Sequence, residues 1–327
     1  MIYSKIIGIG SFVPEKVLTN EELSSIVNTS DAWITSRTGI RERRIAESGL
    51  MTSDIAAAAA KEAIKLSGLN LADIELILVG TVTPDMAFPS TSCIVQGKLG
   101  LTNAAAFDVS AGCSGFIYSL SIADSFIKSG KYKNILVIGV DLLSRITDYT
   151  DRSTCVLFGD GGGAVVLTAN FENDRGILST HLHSEGGHND ILALQAGGSF
   201  MPASLETVSN HEHYIKMKGS KLFRYAVNYL KAVAEEAINF NGLTPEDIDL
   251  FVPHQANIRI VEATAKKLHF PMEKVFVNLE RYGNTSSGSI PIALDEAYKS
   301  GRLKEGQLVL IDAIGAGLTW ASSIIKW

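Results

Sequence analysis

The 327-residue chain reads as an α/β protein built from two copies of one unit, and three features of the sequence say so. The first is an internal repeat. Residues 61–76 (KEAIKLSGLNLADIEL) match residues 235–250 (EEAINFNGLTPEDIDL) at 8 of 16 positions, with an offset of 174. Residues 124–133 (DSFIKSGKYK) match residues 295–304 (DEAYKSGRLK) at 5 of 10, with an offset of 171. Two matches in the same order at nearly one offset exceed what shared helix propensity produces. The second feature is a set of short apolar runs, ILVIG (135–139), AVVL (164–167) and LVLI (308–311). They lack polar alternation, which predicts strands buried on both faces. Thirdly, such runs alternate with amphipathic segments, which predicts parallel or mixed sheets with right-handed crossovers.

Each copy begins with a helix, at 54–66 in one and 223–239 in the other, ending near Gly68 and Gly242, where glycine caps a helix without steric cost. Alanines 56–60 suit a helix packed closely between layers. Strands at 76–80 and 250–252 follow, then strand-like runs at 104–110 and 274–279, then a long helix (116–129 in the first copy) and a closing strand. Segment 184–213, rich in Gly, Ser, Asn and His, reads as an inserted loop region. The boundary falls near 170–176, dividing the chain into halves 1–172 and 173–327.

Composition narrows the function. At 46% hydrophobic and 20% charged residues the chain is globular, not disordered. A net charge of −6 argues against a general polyanion binder, so no nucleic-acid partner is expected. Three cysteines cannot build a disulfide framework, and a reducing, cytoplasmic setting is expected. No uncharged apolar run approaches the roughly 18 residues of a membrane span. Residues 1–13 carry one lysine and a glycine-broken apolar stretch, which does not read as a signal peptide. No membrane association is expected.

The repeat singles out one pair of positions. At the 171 offset Cys113 corresponds to Asn284, and Gly112 to Gly283. Each pair follows a strand-like run and precedes a helix. In the first helix Phe116, Ile117, Leu120, Ala123 and Ile127 form one stripe, so Cys113 sits in a strand-to-helix turn at a helix N-terminus. Unpaired N–H groups and the helix dipole there predict a lowered thiol pKa. Gly112 and Gly115 allow a sharp turn, the geometry of a nucleophile elbow with sulfur in place of oxygen. Cys93 and Cys155 lack that setting and read as small buried hydrophobes. His254 follows the 250–252 strand and Pro253, and opens a helix through QANIRIVEATAKKL. It corresponds to Gly80 at the 174 offset, so it too lies at a strand's carboxyl end, where catalytic groups gather in α/β sheets.

The strings DVSAGCSGF, VPHQANIR, YGNTSSGS and GAGLTWAS, in this order and spacing, closely resemble those of the β-ketoacyl-acyl-carrier-protein synthase III family. These are the condensing enzymes that start type II fatty-acid synthesis. WITSRTGIRERR, AFPSTSC, DRSTCVLFGDGGGAVVL and Trp320 match as well, so the resemblance covers essentially the whole chain. It implies a thiolase-like fold, a five-layer αβαβα core of two pseudo-duplicated halves, and a homodimer. It implies a triad of Cys113, His254 and Asn284. Cys113 would take an acyl group from an acyl-CoA primer, acetyl-CoA being expected. Malonyl carrier protein would then lose CO2, and the carbanion would attack the acyl-enzyme. Decarboxylation builds enolate charge on the thioester oxygen, which the neutral donors of His254 and Asn284 would meet. A second oxyanion site would use the backbone N–H groups of Cys113 and of the turn at 315–317. Many members carry three glycines there. The alanine at position 316 of this chain requires a negative φ.

Residue by residue, the resemblance implies that Trp33 and Arg152 sandwich the CoA adenine and that Arg37 lies near its phosphates. Asn257 and Thr29 would touch the pantetheine arm and nucleotide, and Phe88 would cross the dimer interface to close the partner's acyl pocket. The acidic carrier needs a basic patch. Gln255, Ala256, Asn257, Ile258 and Arg259 are expected to form it, with Lys266 and Lys267 on the same helix and Arg224 on the corresponding one. Arg259 and Lys266, seven residues apart, share a helix face. Neither a cofactor nor a metal is implied, acyl-CoA being a substrate.

Other motifs carry less. GDGGG (159–163) lacks a Walker lysine and runs into a strand, and the glycines at 8 and 10 are followed by Pro14, so neither predicts a phosphate loop. His181, His183, His188, His211 and His213 lack a carboxylate frame, and no metal centre is expected. Arg41, Arg43 and Arg44 read as charged surface near the CoA entrance. A relative with the same triad could instead condense other acyl-CoA and malonyl-thioester pairs, for ketone, quinolone or polyketide products. A silent scaffold subunit is opposed by the intact Cys113, His254 and Asn284. A degradative thiolase is opposed by the lack of a second catalytic cysteine near GAGLTW.

Overall fold

Side-chain alternation along the strands explains the uniformly apolar runs. In the strand Leu76–Gly80, Leu76 and Leu78 enter one hydrophobic cluster while Ile77 and Val79 enter another. Ile135 and Val137 part in the same way from Leu136 and Ile138, and Val165 and Leu167 from Ala164 and Val166. Successive residues of a strand face opposite sides, so both faces of this sheet are buried. Val309, Ile311 and Ala313 of the strand Leu308–Gly315 join the first cluster, while Leu310 turns into a third with Phe251 and Ile324. One cluster therefore lies between two sheets, and the other two lie outside them.

The computed structural model describes residues 2–172 and 175–327, so residue 173, where the second half was expected to begin, lies outside the described residues. The first sheet runs Tyr3–Phe12, Asp160–Asn170, Asn134–Leu142, Leu76–Gly80, Ala105–Val109. Its last two pairings are parallel and the others antiparallel. The second runs Leu250–Pro253, Leu308–Gly315, Thr319–Lys326, Gly176–Ser184, with only the first pair parallel. Helices Gly115–Lys128 and Ser289–Lys299 fill the space between the sheets. Thr52–Ser67 and Thr91–Leu99 cover the first sheet outside, and Gly219–Phe240 and Ile258–Lys267 cover the second. The stack is αβαβα. Gly8 and Gly10 serve this packing, since a Cβ on either would stand 2.1 and 2.6 Å from the Ala63 backbone.

Matched segments fold alike. Asn70 N–H donates to Asp73 Oδ2 at 2.8 Å and Thr244 N–H to Asp247 Oδ2 at 2.7 Å, each opening a 3-10 turn before a strand. Lys128–Asp124 and Lys299–Asp295 are both ion pairs of 2.7 Å between residues four apart. The copies differ at 274–279, which forms no strand. One bridge joins Phe251 to Val275 before the chain turns into the short helix Leu279–Tyr282. The Gln255 side chain takes the ladder's place, donating to Phe276 O at 3.1 Å and accepting from Asn278 N–H at 3.1 Å.

Three expectations change. Arg43 is fully buried, donating to Leu18 O, Asn20 Oδ1 and Val156 O, and burial lowers its pKa to about 10. Cys93 is exposed, because it faces outward on its helix, whereas Cys155 is buried. The helix expected to open at His254 begins at Ile258, capped by Asn257, whose Oδ1 accepts from Arg259 N–H at 2.9 Å. The segment 184–213 holds short elements, among them Leu192–Ala193, paired with Lys216–Met217, and the helix Leu205–Ser209. His181 and His183 both bond Glu236, at 3.2 and 2.6 Å, and His211 bonds Asp148 at 2.8 Å. Among the described residues no helix is long and apolar enough to cross a membrane.

Leu120, fully buried in the middle layer, tests the packing. Leu120→Ala is expected to cost about 2–5 kcal/mol in chemical denaturation. A loss near zero would show that the layer is not close-packed.

Candidate active site

The two middle helices bring their N-terminal turns together. Gly112, at φ +54°, turns the chain after the Ala105–Val109 strand, and the helix starts at Gly115. This turn abuts the one at Gly315. A Cβ on Gly112 would lie 2.5 Å from Ala316 N, and one on Gly315 would lie 2.3 Å from Cys113 N, so only glycine fits either position. Ala316 has the negative φ it requires. Ser287 Oγ donates to Gly112 O at 2.9 Å and Thr319 Oγ1 to Ala111 O at 2.7 Å, fastening the nucleophile turn to the other half.

Asn284 and His254 are oriented by their inner ends. Asn284 Oδ1 accepts from Ser286 N–H at 2.8 Å, which leaves the amide NH2 for the cavity. Ser286 adopts φ +51°, a strained value for a non-glycine residue. His254 is 4% exposed, its backbone N–H donating to Asp312 O at 2.8 Å and its Nδ1 lying 2.6 Å from Ser289 Oγ. Burial pushes the imidazole down to about 4, so it is neutral at pH 7.

Cys113 departs from expectation. Burial pushes its thiol up to about 12, partly opposed by the Ser286 hydroxyl and reinforced by the Asp141 carboxylate. A helix terminus contributes about 0.3–1 kcal/mol, whereas taking a charge out of water costs several. The enclosure wins, and the group rests as a thiol. Asp141 is fully buried. Its Oδ1 accepts from Thr81 Oγ1, Val82 N–H and Thr83, and its Oδ2 from Ser287 N–H. Asp141, Ser286 and Ser289 were missed in the sequence, where an acid closing the run ILVIGVDLL and three serines after Asn284 were the available signals.

Cys113, Phe158 and Leu192 line two cavities at once. The larger, about 490 Å³, also has His254, Asn284, Trp33, Arg37, Ala256, Asn257 and Arg259 in its wall. The smaller, about 300 Å³, is lined by Val82, Leu143, Ile146, Leu194, Ile215, Ser286 and Ala316, and is mostly apolar. Arg152 lies over Trp33 at 4.9 Å and donates to Asn28 O at 3.0 Å. A ring inserted between them needs roughly 7 Å, two van der Waals contacts, so the pair must part to admit one. Thr29 stands apart, in a polar recess with Asn20, Asp31 and Arg41. Phe88 is 86% exposed. Arg224, Lys266 and Lys267 are exposed, and Arg259 lies over Phe223 at 5.6 Å. Gln255 does not belong to this surface. It is 1% exposed, and its side chain is spent on Pro253 O, Phe276 O and Asn278 N–H. Ile258 likewise packs inward, against Gly39.

A five-layer αβαβα stack with a thiol, an imidazole and a carboxamide where two cavities meet defines a thiolase-like condensing enzyme. Residues 107–186 match the family model 3-oxoacyl-[acyl-carrier-protein] synthase III, and residues 238–327 match that family's C-terminal model. β-Ketoacyl-[acyl-carrier-protein] synthase III of Caldanaerobacter subterraneus subsp. tengcongensis is 54% identical over 326 residues, covering 100% of this chain and 98% of that protein. The protein of the same name from Xanthomonas campestris pv. campestris is 52% identical, covering 100% and 99%. The crystal structure of 3-oxoacyl-[acyl-carrier-protein] synthase III from Aquifex aeolicus superposes with a TM-score of 0.92 at 50% identity, covering 99% and 100%. The chain belongs to the β-ketoacyl-[acyl-carrier-protein] synthase III family, a family of acyltransferases.

The raised thiol pKa sets the pH response of Cys113 in the free enzyme. Iodoacetamide alkylation of Cys113, followed by peptide mass, is expected to accelerate about tenfold per pH unit from 7 to 10, following the thiolate fraction. A plateau near neutral pH would mean a stabilised thiolate instead.

Proposed function

We propose that this protein is a cytoplasmic, homodimeric β-ketoacyl-acyl-carrier-protein synthase III that condenses an acyl-CoA primer with malonyl carrier protein. The observation that carries the reading is the convergence of Cys113, His254 and Asn284 at the meeting of two cavities. Pantetheine in the larger cavity presents its thioester to Cys113, with the acyl chain in the smaller. Sulfur attacks the carbonyl, the bond to CoA breaks, and the thiol proton leaves with CoA. The backbone N–H groups of Cys113 and Ala316 receive the oxyanion. Malonyl carrier protein then enters the vacated cavity. Its carboxylate leaves as CO2, the electron pair passes to the thioester enolate, and Asn284 and His254 donate to that oxygen. The carbanion attacks acyl-Cys113 and expels the sulfur as a thiolate, which takes a proton from water, giving 3-oxoacyl carrier protein. No cofactor takes part.

The binding roles follow from placement. Trp33 and Arg152 open to hold the adenine, and Arg37 and Asn257 contact the phosphates and pantetheine; Thr29, in a recess of its own, is assigned to the nucleotide by the resemblance alone. Arg259 at the cavity mouth, with Arg224, Lys266 and Lys267, receives the acidic carrier. Among the described residues the strand Ala105–Val109 pairs on one side only; its Phe107 is exposed, and so is Phe88. An open, apolar strand edge supports pairing with a second copy. Halves 1–172 and 173–327 are read as diverged copies of one ancestor. The apolar volume of about 300 Å³ favours a second reading, in which primers longer than acetyl are taken for specialised products.

Intact-mass analysis after mixing with acetyl-CoA, and separately with branched and longer acyl-CoAs, tests this. Acylation that vanishes in Cys113→Ala, with CO2 release on adding malonyl carrier protein, is expected. Asn284→Ala should keep acylation and lower decarboxylation by on the order of 10²–10³. No acyl-enzyme with any primer would sink the mechanism, and malonyl-CoA accepted as readily as the carrier would favour the second reading. Arg259→Glu should weaken carrier binding, seen as a raised KM for malonyl carrier protein, while acylation by acyl-CoA stays intact. Equal loss of both would show that the patch is structural.

A further inference from the structure

A neutral imidazole carries one N–H, so the nitrogen that bears it decides whether His254 offers the cavity a donor or an acceptor. We infer that Ser289 donates its hydroxyl proton to Nδ1 of His254 and so holds the ring as the tautomer whose N–H, at Nε2, faces the cavity. The role of Ser289 rests on the reading of His254 as a donor to the enolate oxygen.

Three contacts carry it. Ser289, 2% exposed, opens the middle-layer helix Ser289–Lys299, and its Oγ lies 2.6 Å from Nδ1. The Gln255 N–H donates to the same Oγ, at 3.4 Å. The Gln255 side chain is anchored on Pro253 O, Phe276 O and Asn278 N–H, so this N–H is held in place. A serine hydroxyl has one proton to give and two lone pairs to fill. Were Nδ1 protonated, Oγ would accept from two donors, and its own proton would be buried with no acceptor among the described residues. With Nδ1 bare, Oγ accepts from Gln255, donates to Nδ1, and every group is used. Burial keeps the ring neutral, as its pKa of about 4 shows, so no second proton supplies the missing donor. The reversed tautomer would aim a lone pair at a developing negative oxygen. Ser289 is thus a positioning residue.

The test is the long-range ¹H–¹⁵N spectrum of histidine-labelled enzyme at pH 7, with His254 assigned through His254→Asn. Wild type should show a bare Nδ1 and a protonated Nε2. Ser289→Ala should lose that single tautomer, and Ser289→Thr, which keeps the hydroxyl, should restore it. In parallel, kcat for malonyl carrier protein decarboxylation should fall on the order of 10–100-fold in Ser289→Ala, with KM and Cys113 acylation little changed. A protonated Nδ1 in wild type, or an unaltered tautomer in Ser289→Ala, overturns the inference. A tautomer that shifts as expected while decarboxylation is untouched supports the role of Ser289 and overturns the donor reading of His254.

Discussion

Two helices packed between two sheets hold this molecule together. Gly115–Lys128 and Ser289–Lys299 lie between two sheets, and their apolar residues share one cluster with strands from both halves. Neither half could bury that surface alone, because each sheet has its own outer helices on its other face. The middle layer therefore fixes how the halves meet, and with it where the two N-terminal turns fall. Those turns touch where Ser287 Oγ donates to Gly112 O at 2.9 Å and where a Cβ on Gly115 would lie 2.6 Å from Ser287 Oγ. Cys113 and Asn284 face one cavity because the helices carrying them cannot lie elsewhere.

The same burial dictates the electrostatics of the site. Enclosure pushes Cys113 up to about 12 and His254 down to about 4, so both are neutral at pH 7. A site of this kind stabilises charge through fixed dipoles, which act strongly where water is excluded. Asn284 is aligned by Ser286 N–H and His254 by Ser289, each through the end that does not face the cavity. Arg37 and Arg259 line the larger cavity of a chain whose net charge is −6.

Much of this was legible in the chain. The repeat pairs Cys113 with Asn284, and the apolar runs announce doubly covered strands, because period-two patterning and capping chemistry are local properties of sequence. The failures share a cause. Lys274 to Leu279 has a strand's composition but forms none, since the side chain of Gln255 claims its backbone. Gln255 reads as a surface residue beside a catalytic histidine, yet it is the anchor of that loop. Arg43 reads as one of three surface arginines, yet three acceptors from distant segments draw it into the interior.

The sequence by itself carried the internal repeat, the strands buried on both faces, and the pairing of Cys113 with Asn284. Periodicity and pairing along the chain suffice for these. Only the tertiary structure decided that Cys113 rests as a thiol, that Trp33 and Arg152 stack on each other, and that Ser289 stands beside Nδ1 of His254. Each depends on which groups from distant segments share a water-poor space. Desolvation and hydrogen-bond partnership are properties of that space and are not encoded at any one position.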